Sequence, residues 1–286
     1  MITYAKNSDR TSDLFRLFTR KHGLVPFEHG ASACWEYPWL YYHVKTLNDN
    51  NLLILKDERL HLIFQEEGKQ SSFEKAQKNA HDIIVGTRLF ADQTDEEINA
   101  SLAHLYDILR PGGFLLFTHE YQYNIDIQPN INRAIFESSF IPYVLEDCTL
   151  IPNDHRVNDH WVAQVKDIFI YTHDHQTKSI LGIILFKPYD KESLYNIRMS
   201  VNPLMKYKND NEIGVYEYLA WHPDFDFVKM HEQNYRRIWL PLEMFTVESF
   251  SFKQLQAFFE IEDDDTILLI VNELICKNVL IVDEGR

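Results

Sequence analysis

Cysteine is scarce, and its three occurrences, Cys34, Cys148 and Cys276, stand far apart with no C-x-x-C pair. That suggests neither a disulfide framework nor a cysteine-built zinc site, and it points to a reducing, cytoplasmic compartment. Long apolar runs are missing too. No stretch approaches the roughly 20 residues needed to span a bilayer, and Lys6, Asp9 and Arg10 interrupt any signal-like start. Positive charge is outnumbered, with 28 Lys and Arg against 43 Asp and Glu, for a formal net charge of −15. An acidic surface of this kind repels phosphate backbones and anionic lipid, so sequence-independent binding to nucleic acid or membrane is not expected. The short signatures G-x-S-x-G, H-E-x-x-H and the P-loop are absent as well.

What is present is a folded composition, 45% apolar and 14% aromatic over 286 residues, enough for one large or two ordinary domains. The chain is organised around residues 94–121. Thr94 and Glu97 form a capping box, and Ile98, Leu102, Leu105 and Leu109 follow on one helical stripe, with Glu96, Asn99 and Asp107 opposite. Pro111 disfavours helix at Arg110, Gly112-Gly113 permit a tight reversal, and Phe114 to Phe117 then read as a strand buried on both faces.

The run LYDILRPGGFLLF resembles the helix, Pro-Gly-Gly turn and fifth strand of class I S-adenosylmethionine-dependent methyltransferases, and HDIIVGTRLF, from His81 to Phe90, is similar to that family's fourth strand. The resemblance implies an α/β, Rossmann-like sheet with helices on both faces. A hairpin read at Val165 to Thr172 and Ser179 to Phe186, with a polar turn over Thr172 to Lys178, resembles the antiparallel edge of such sheets. It ends the first domain near Tyr189, giving domains 1–189 and 190–286.

The same resemblance implies a glycine-rich turn after the first strand, read here at Asn51 to Leu55. Instead Lys56-Asp57-Glu58-Arg59-Leu60 follows, with no glycine. Only 26 residues separate Leu55 from Asp82, where two strand-helix units are expected and a βαβ unit alone takes roughly 30. Leu60 to Phe64 reads as a strand in an antiparallel hairpin, and Ser72 to Ala80 as a helix. Glu66, at that strand's exit, is the candidate for the acid that holds a cofactor ribose, set against a solvated turn carboxylate; Gly86 is the second candidate cofactor contact. The aromatic segment PFEHGASACWEYPWLYYH offers Trp35, Tyr37, Trp39 and Tyr42 as substrate-pocket candidates, set against ordinary packing of a helix on the sheet.

Ser12 to Arg20 reads as an amphipathic helix, Ile131 to Phe140 as another, and Met205 to Glu212 as an exposed loop. His155, His160, His173 and His175, interleaved with aspartates, match no zinc spacing and read as polar turns, with a metal-dependent enzyme as the weaker alternative. Residues 241–286 resemble the helix, helix and strand of a winged-helix module, the second helix capped by Asp265 or Thr266. The module carries 3 basic against 10 acidic side chains, the reverse of what phosphate contact needs. A protein or peptide partner is therefore expected, with homo-oligomerisation left open.

Two functions follow. One is a methyltransferase-fold protein without a cofactor, acting as a partner or recognition subunit in natural-product or peptide-modification biosynthesis. The other is an active methyltransferase using S-adenosylmethionine through an altered loop.

Overall fold

The computed structural model describes residues 2–5, 7–24, 32–47, 51–55, 57–67, 71–73, 78–91, 93–122, 134–135, 138–142, 170–173, 175–202, 206–210, 213–218, 236–240, 242–276 and 279–283. They fall into two compact units, the first running through Lys187 and the second from Pro188 onward.

In the first unit the elements run β1 (Ile2–Tyr4), α1 (Asn7–Thr11), α2 (Asp13–Lys21), α3 (Ala33–Thr46), β2 (Leu52–Leu55), α4 (Glu58–Glu66), β3 (Ser71–Phe73), β4 (His81–Gly86), α5 (Asp95–Ile108), β5 (Leu109–Gln122), β6 (Ile141–Pro142), β7 (Tyr171–His173) and β8 (Gln176–Phe186). The sheet order is β1-β8-β5-β4-β2-β3, with β6 and β7 also on β8. Strands β3, β2, β4 and β5 are parallel, and β8 runs antiparallel to β5 and β1. The fold is thus a mixed α/β sheet with Phe114 to Phe117 in its interior.

The capping box forms as written in the sequence: the Thr94 hydroxyl accepts from Glu97 N–H, and Glu97 accepts from Thr94 N–H at 2.8 Å. Ile98, Leu102, Leu105 and Ile108 are buried against the sheet, where every residue of β4 is buried as well. Leu109, expected on the helix, already opens β5. The Pro-Gly-Gly stretch does not reverse the chain. It forms a bulge, since Leu109 faces His81 while Phe114 faces Ile83, and Gly112 takes φ +80°, which glycine adopts without penalty. Lys187 N–H bonds Gly113 C=O at 2.9 Å and Gly112 N–H bonds Lys187 C=O at 2.8 Å, so the bulge is pinned to the end of β8. The buried Lys187 Nζ donates to the C=O groups of Tyr106 and Leu109, both at 2.7 Å, capping the carboxyl end of α5.

Several local expectations are corrected. Leu60 to Phe64 belongs to α4, because Asp57 caps it (Leu60 N–H to Oδ1, 2.8 Å) and Leu60, Ile63 and Phe64 bury at helical spacing. The segment is therefore a compact parallel β2-α4-β3 crossover, not an antiparallel hairpin. Ser72 and Phe73, expected at the start of a helix, lie in strand β3 (Ser71–Phe73). The polar Thr172 to Lys178 segment is mostly paired strand: Thr172 faces Thr177 and His173 faces Gln176, with His175 left-handed at φ 62°. Ser12 caps α2 as the amphipathic pattern suggests. Of Ile131 to Phe140, expected as a helix, half lies outside the described residues and Ala134 and Ile135 are helical; His155 and His160 also lie outside them.

The second unit contains α6 (Lys191–Tyr195), β9 (Arg198–Val201), β10 (Lys206–Asp210), β11 (Ile213–Tyr218), β12 (Arg236–Trp239), β13 (Phe250–Ser251), α7 (Phe252–Phe259), α8 (Asp264–Cys276) and β14 (Leu280–Asp283). Two antiparallel sheets form, β10-β11-β12 and β13-β9-β14. Most of Met205 to Glu212, expected as a loop, is thus strand β10. The helix, helix and strand read from residues 251–282 are present. Asp263, rather than Asp265 or Thr266, receives the first-turn N–H, from Thr266 at 2.9 Å. Buried Asn272 matches a peptide edge, its Oδ1 taking Tyr189 N–H at 2.7 Å and its Nδ2 giving to Tyr189 C=O at 2.9 Å.

Candidate functional site

In an open α/β sheet, ligands sit beyond the carboxyl ends of the strands where the chain switches direction across the sheet. Here β2 leads to β3 on one side, and the chain then returns to β4 on the other side of β2. The crevice between the ends of β2 and β4 is therefore the topological site. Leu55, Gly86 and Phe117 are level across the three parallel strands, which places Asp57, Thr87, Arg88 and Thr118 just beyond them.

Asp57 occupies the amino end of α4, the place where a helix offers bare N–H groups to an anion. Its Oδ1 accepts from Leu60 N–H and from the Tyr37 hydroxyl at 3.3 Å, and its Oδ2 accepts from the Thr87 hydroxyl at 2.6 Å. Burial, and then the Asp57 charge, push the Tyr37 phenol well above its usual range. It stays protonated and serves as a donor, not a base.

Beside it lies an ion-pair network built from four elements. Arg88, left-handed at φ 45°, directs its guanidinium to Glu36 of α3, with Nη2 to Oε2 at 3.1 Å, and to the Ser32 hydroxyl. Glu36 is only 1% exposed and also receives the Thr118 hydroxyl at 2.6 Å, while Thr118 accepts Arg88 N–H at 3.0 Å. Glu120, farther along β5, takes Lys178 Nζ at 2.5 Å and the Tyr171 hydroxyl, with Arg88 Nη1 at 3.8 Å. A left-handed non-glycine residue costs on the order of 1 kcal/mol, and the Glu36 and Thr118 bonds hold Arg88 there.

For Glu120, burial pushes the carboxyl up, but the hydrogen bonds from Lys178 and Tyr171 and the Arg88 charge prevail and hold it below its ordinary value of 4.5. A depressed carboxylate contributes stability that is complete above its unfolded value and is lost as pH falls through the folded one. Thermal melts of the parent protein should therefore fall below about pH 4.5 more steeply than those of Glu120→Gln. Parallel acid limbs in the two proteins would contradict the assignment.

The sequence-derived candidates are brought together only in part. Tyr37 and Gly86 lie at the crevice, Gly86 ending β4 with the Leu89 side chain against its Cα. Trp35 and Trp39 are buried and stacked, their ring centroids 5.4 Å apart. Trp39 also lies against Gly182 of β8, where any Cβ would come within 2.5 Å of the indole. Tyr42 turns its hydroxyl to Leu14 C=O, and burial pushes its phenol up to about 12. Glu66 is at no strand exit. It closes α4, half exposed, with Oε2 2.9 Å from Nδ1 of buried His22. In the sequence the acid that directly follows β3 is Glu74, which lies outside the described residues. Arg88, Glu36, Thr118 and Glu120 went unread because no local motif joins residues so far apart in the chain. Among the described residues no group of His, Cys, Asp or Glu has metal-ligating geometry, and no helix is long and apolar enough to cross a membrane.

No protein-family model matches the chain, and no curated protein is similar to it. Among solved structures it is similar to geranyl diphosphate C-methyltransferase from Streptomyces coelicolor A3(2), at 7% identity over 64% of this chain and 92% of that one, with a TM-score of 0.38. A putative sarcosine dimethylglycine methyltransferase from Galdieria sulphuraria is 12% identical over 62% of this chain and 99% of that one, with a TM-score of 0.34. The 1,6-didemethyltoxoflavin-N1-methyltransferase of Burkholderia thailandensis is 10% identical over 66% and 96%, at 0.35. Likeness this distant assigns neither an activity nor a ligand.

Proposed function

We propose that this chain is a methyltransferase-fold protein whose cofactor crevice is filled by its own side chains, and that it acts as a non-catalytic partner or recognition subunit. The observation that carries the reading is Asp57. A carboxylate already caps α4 and ties Tyr37 and Thr87 across the switch point, so the helix end meets a fixed negative charge where a ligand carboxylate or hydroxyl would bind. No glycine lies between Leu55 and Leu60 to let a ligand approach the backbone. Losing two charge-assisted hydrogen bonds, at about 1.5 to 3 kcal/mol each, weakens a micromolar ligand by about two to four orders of magnitude.

The partner fits a protein or peptide, as in natural-product or peptide-modification pathways, held by the acidic, winged-helix-like region 241–286. Its 3 basic and 10 acidic side chains disfavour both nucleic acid and an isologous contact through that region alone. The buried cysteines Cys34 and Cys276 suit a reducing, cytoplasmic setting. The alternative is an active S-adenosylmethionine-dependent methyltransferase. It is favoured by the position of Glu74 directly after β3 in the sequence and by Gly86 at the end of β4.

Calorimetric titration of the full chain with S-adenosylmethionine and with its demethylated product separates the two. The expected result is no saturable heat with either ligand up to about 0.1 mM. A low-micromolar dissociation constant that Gly86→Leu abolishes would overturn the non-catalytic reading and restore the enzyme.

A further inference from the structure

We propose that the first unit carries a second, independent ligand site, a cleft over α5 that takes a small organic cation with a ring-sized apolar body. The cleft is an open one of about 420 Å³ between one face of α5 and residues Ala134, Ser138, Ser139 and Phe140, and among the described residues it shares none with the switch-point crevice. That volume falls inside the roughly 300–1,000 Å³ range of small-molecule sites.

Its shape follows from helix geometry. Asn99, Ala103 and Asp107 stand about one turn apart on the exposed side of α5, away from the stripe that buries on the sheet. The overhanging Ala134 and Ser138 to Phe140 turn that exposed side into a cleft. Buried Leu102, Ala134 and Phe140 give an apolar floor. Tyr106 is fixed edge-on to Phe140, with ring centroids 5.1 Å apart and planes at 77°, so the wall is preformed.

The rim sets the charge. Among the described residues Asp107 has no side-chain partner, and of the described lining residues it is the one acidic or basic side chain. Asn99 and Ser139 add acceptors beside it, whereas the Ser138 hydroxyl is occupied by Ile135 C=O at 2.6 Å and Phe140 N–H at 3.3 Å. Lys187 Nζ already lies over the Tyr106 ring at 4.5 Å, so Asp107 rather than that ring holds the ligand's charge. A net charge of −15 raises the local concentration of cations and disfavours anions of the same shape.

The test titrates the full-length protein with phenethylamine, with phenylacetate as the same ring bearing the opposite charge, followed by saturation-transfer NMR and calorimetry. Phenethylamine is expected to bind about tenfold or more tightly than phenylacetate, the sum of one attraction gained and one repulsion avoided. Ala103→Trp, at an exposed position that tolerates a larger side chain, should fill the cleft and abolish saturation transfer while the thermal melt is kept. Asp107→Asn should reduce the preference for the amine about fivefold. Equal binding of the two probes, no binding of either, or amine binding unchanged in Ala103→Trp would each overturn the site.

Discussion

Arg88→Met is expected to lower the stability of the first unit by about 3 to 5 kcal/mol, the cost of leaving a buried charge without its partner. Glu36 is 1% exposed, and after the substitution it keeps only the Thr118 hydroxyl as an ordered partner at 2.6 Å among the described residues. That remaining bond places the effect toward the lower end of the range. The reverse change, Glu36→Gln alone, should cost less, because Arg88 is 35% exposed and regains water. The double variant Glu36→Gln/Arg88→Met should recover much of the loss, since no uncompensated charge remains. Guanidinium unfolding of the four proteins checks this. An Arg88→Met variant within about 1 kcal/mol of the parent would show that the network is a solvated surface pair.

The second large effect is packing. Leu105→Ala should cost about 2 to 5 kcal/mol, the range for deleting a buried leucine side chain when the surroundings relax only in part. Leu105 is 5% exposed and belongs to the core formed with Ile84 of β4, Leu115 and Phe117 of β5, and Leu181, Ile183 and Leu185 of β8. The capping box at Thr94 is at the other end of the helix and should stay formed. Circular dichroism should therefore show helix content retained at low temperature and the melting point lowered. An unchanged melting point would place Leu105 outside the core.

How much of this was written in the sequence depends on how local the cause was. The α5-β5 stretch was legible because each of its signals acts within a few residues: a cap with its partner three positions on, a stripe at helical spacing, and a proline that ends the helix. The bulge in β5 was misread as a reversal because Gly112-Gly113 permits both, and the choice is made by backbone bonds from Lys187, far along the chain. In α4 the short run LHLIF has the length and apolarity of a strand, and the deciding feature was the Asp57 cap three residues ahead of Leu60. Strands β1 and β3 are three residues each and are defined by their pairing with β8 and β2, not by any pattern of their own. The crevice was the least legible part. Arg88 meets Glu36 across 52 positions and Thr118 across 30, so only the folded sheet brings them together.

The pairing of β1 has a consequence for how the chain is made. Ile2 lies opposite Ile183 and Tyr4 opposite Leu181, so β1, made before the other described strands, finds its only described strand neighbour about 180 residues later. At roughly 5 to 20 residues per second, synthesis leaves that strand waiting about 10 to 40 s. Through that interval β2, α4, β3, β4, α5 and β5 can already assemble from neighbours in sequence, while the β5 edge that β8 will cover stays open. Contacts of such long range slow folding, and an open edge flanked by apolar residues is a template for the wrong strand. The vulnerable species of this protein is therefore a nascent chain that has completed its parallel strands and has not yet received β8.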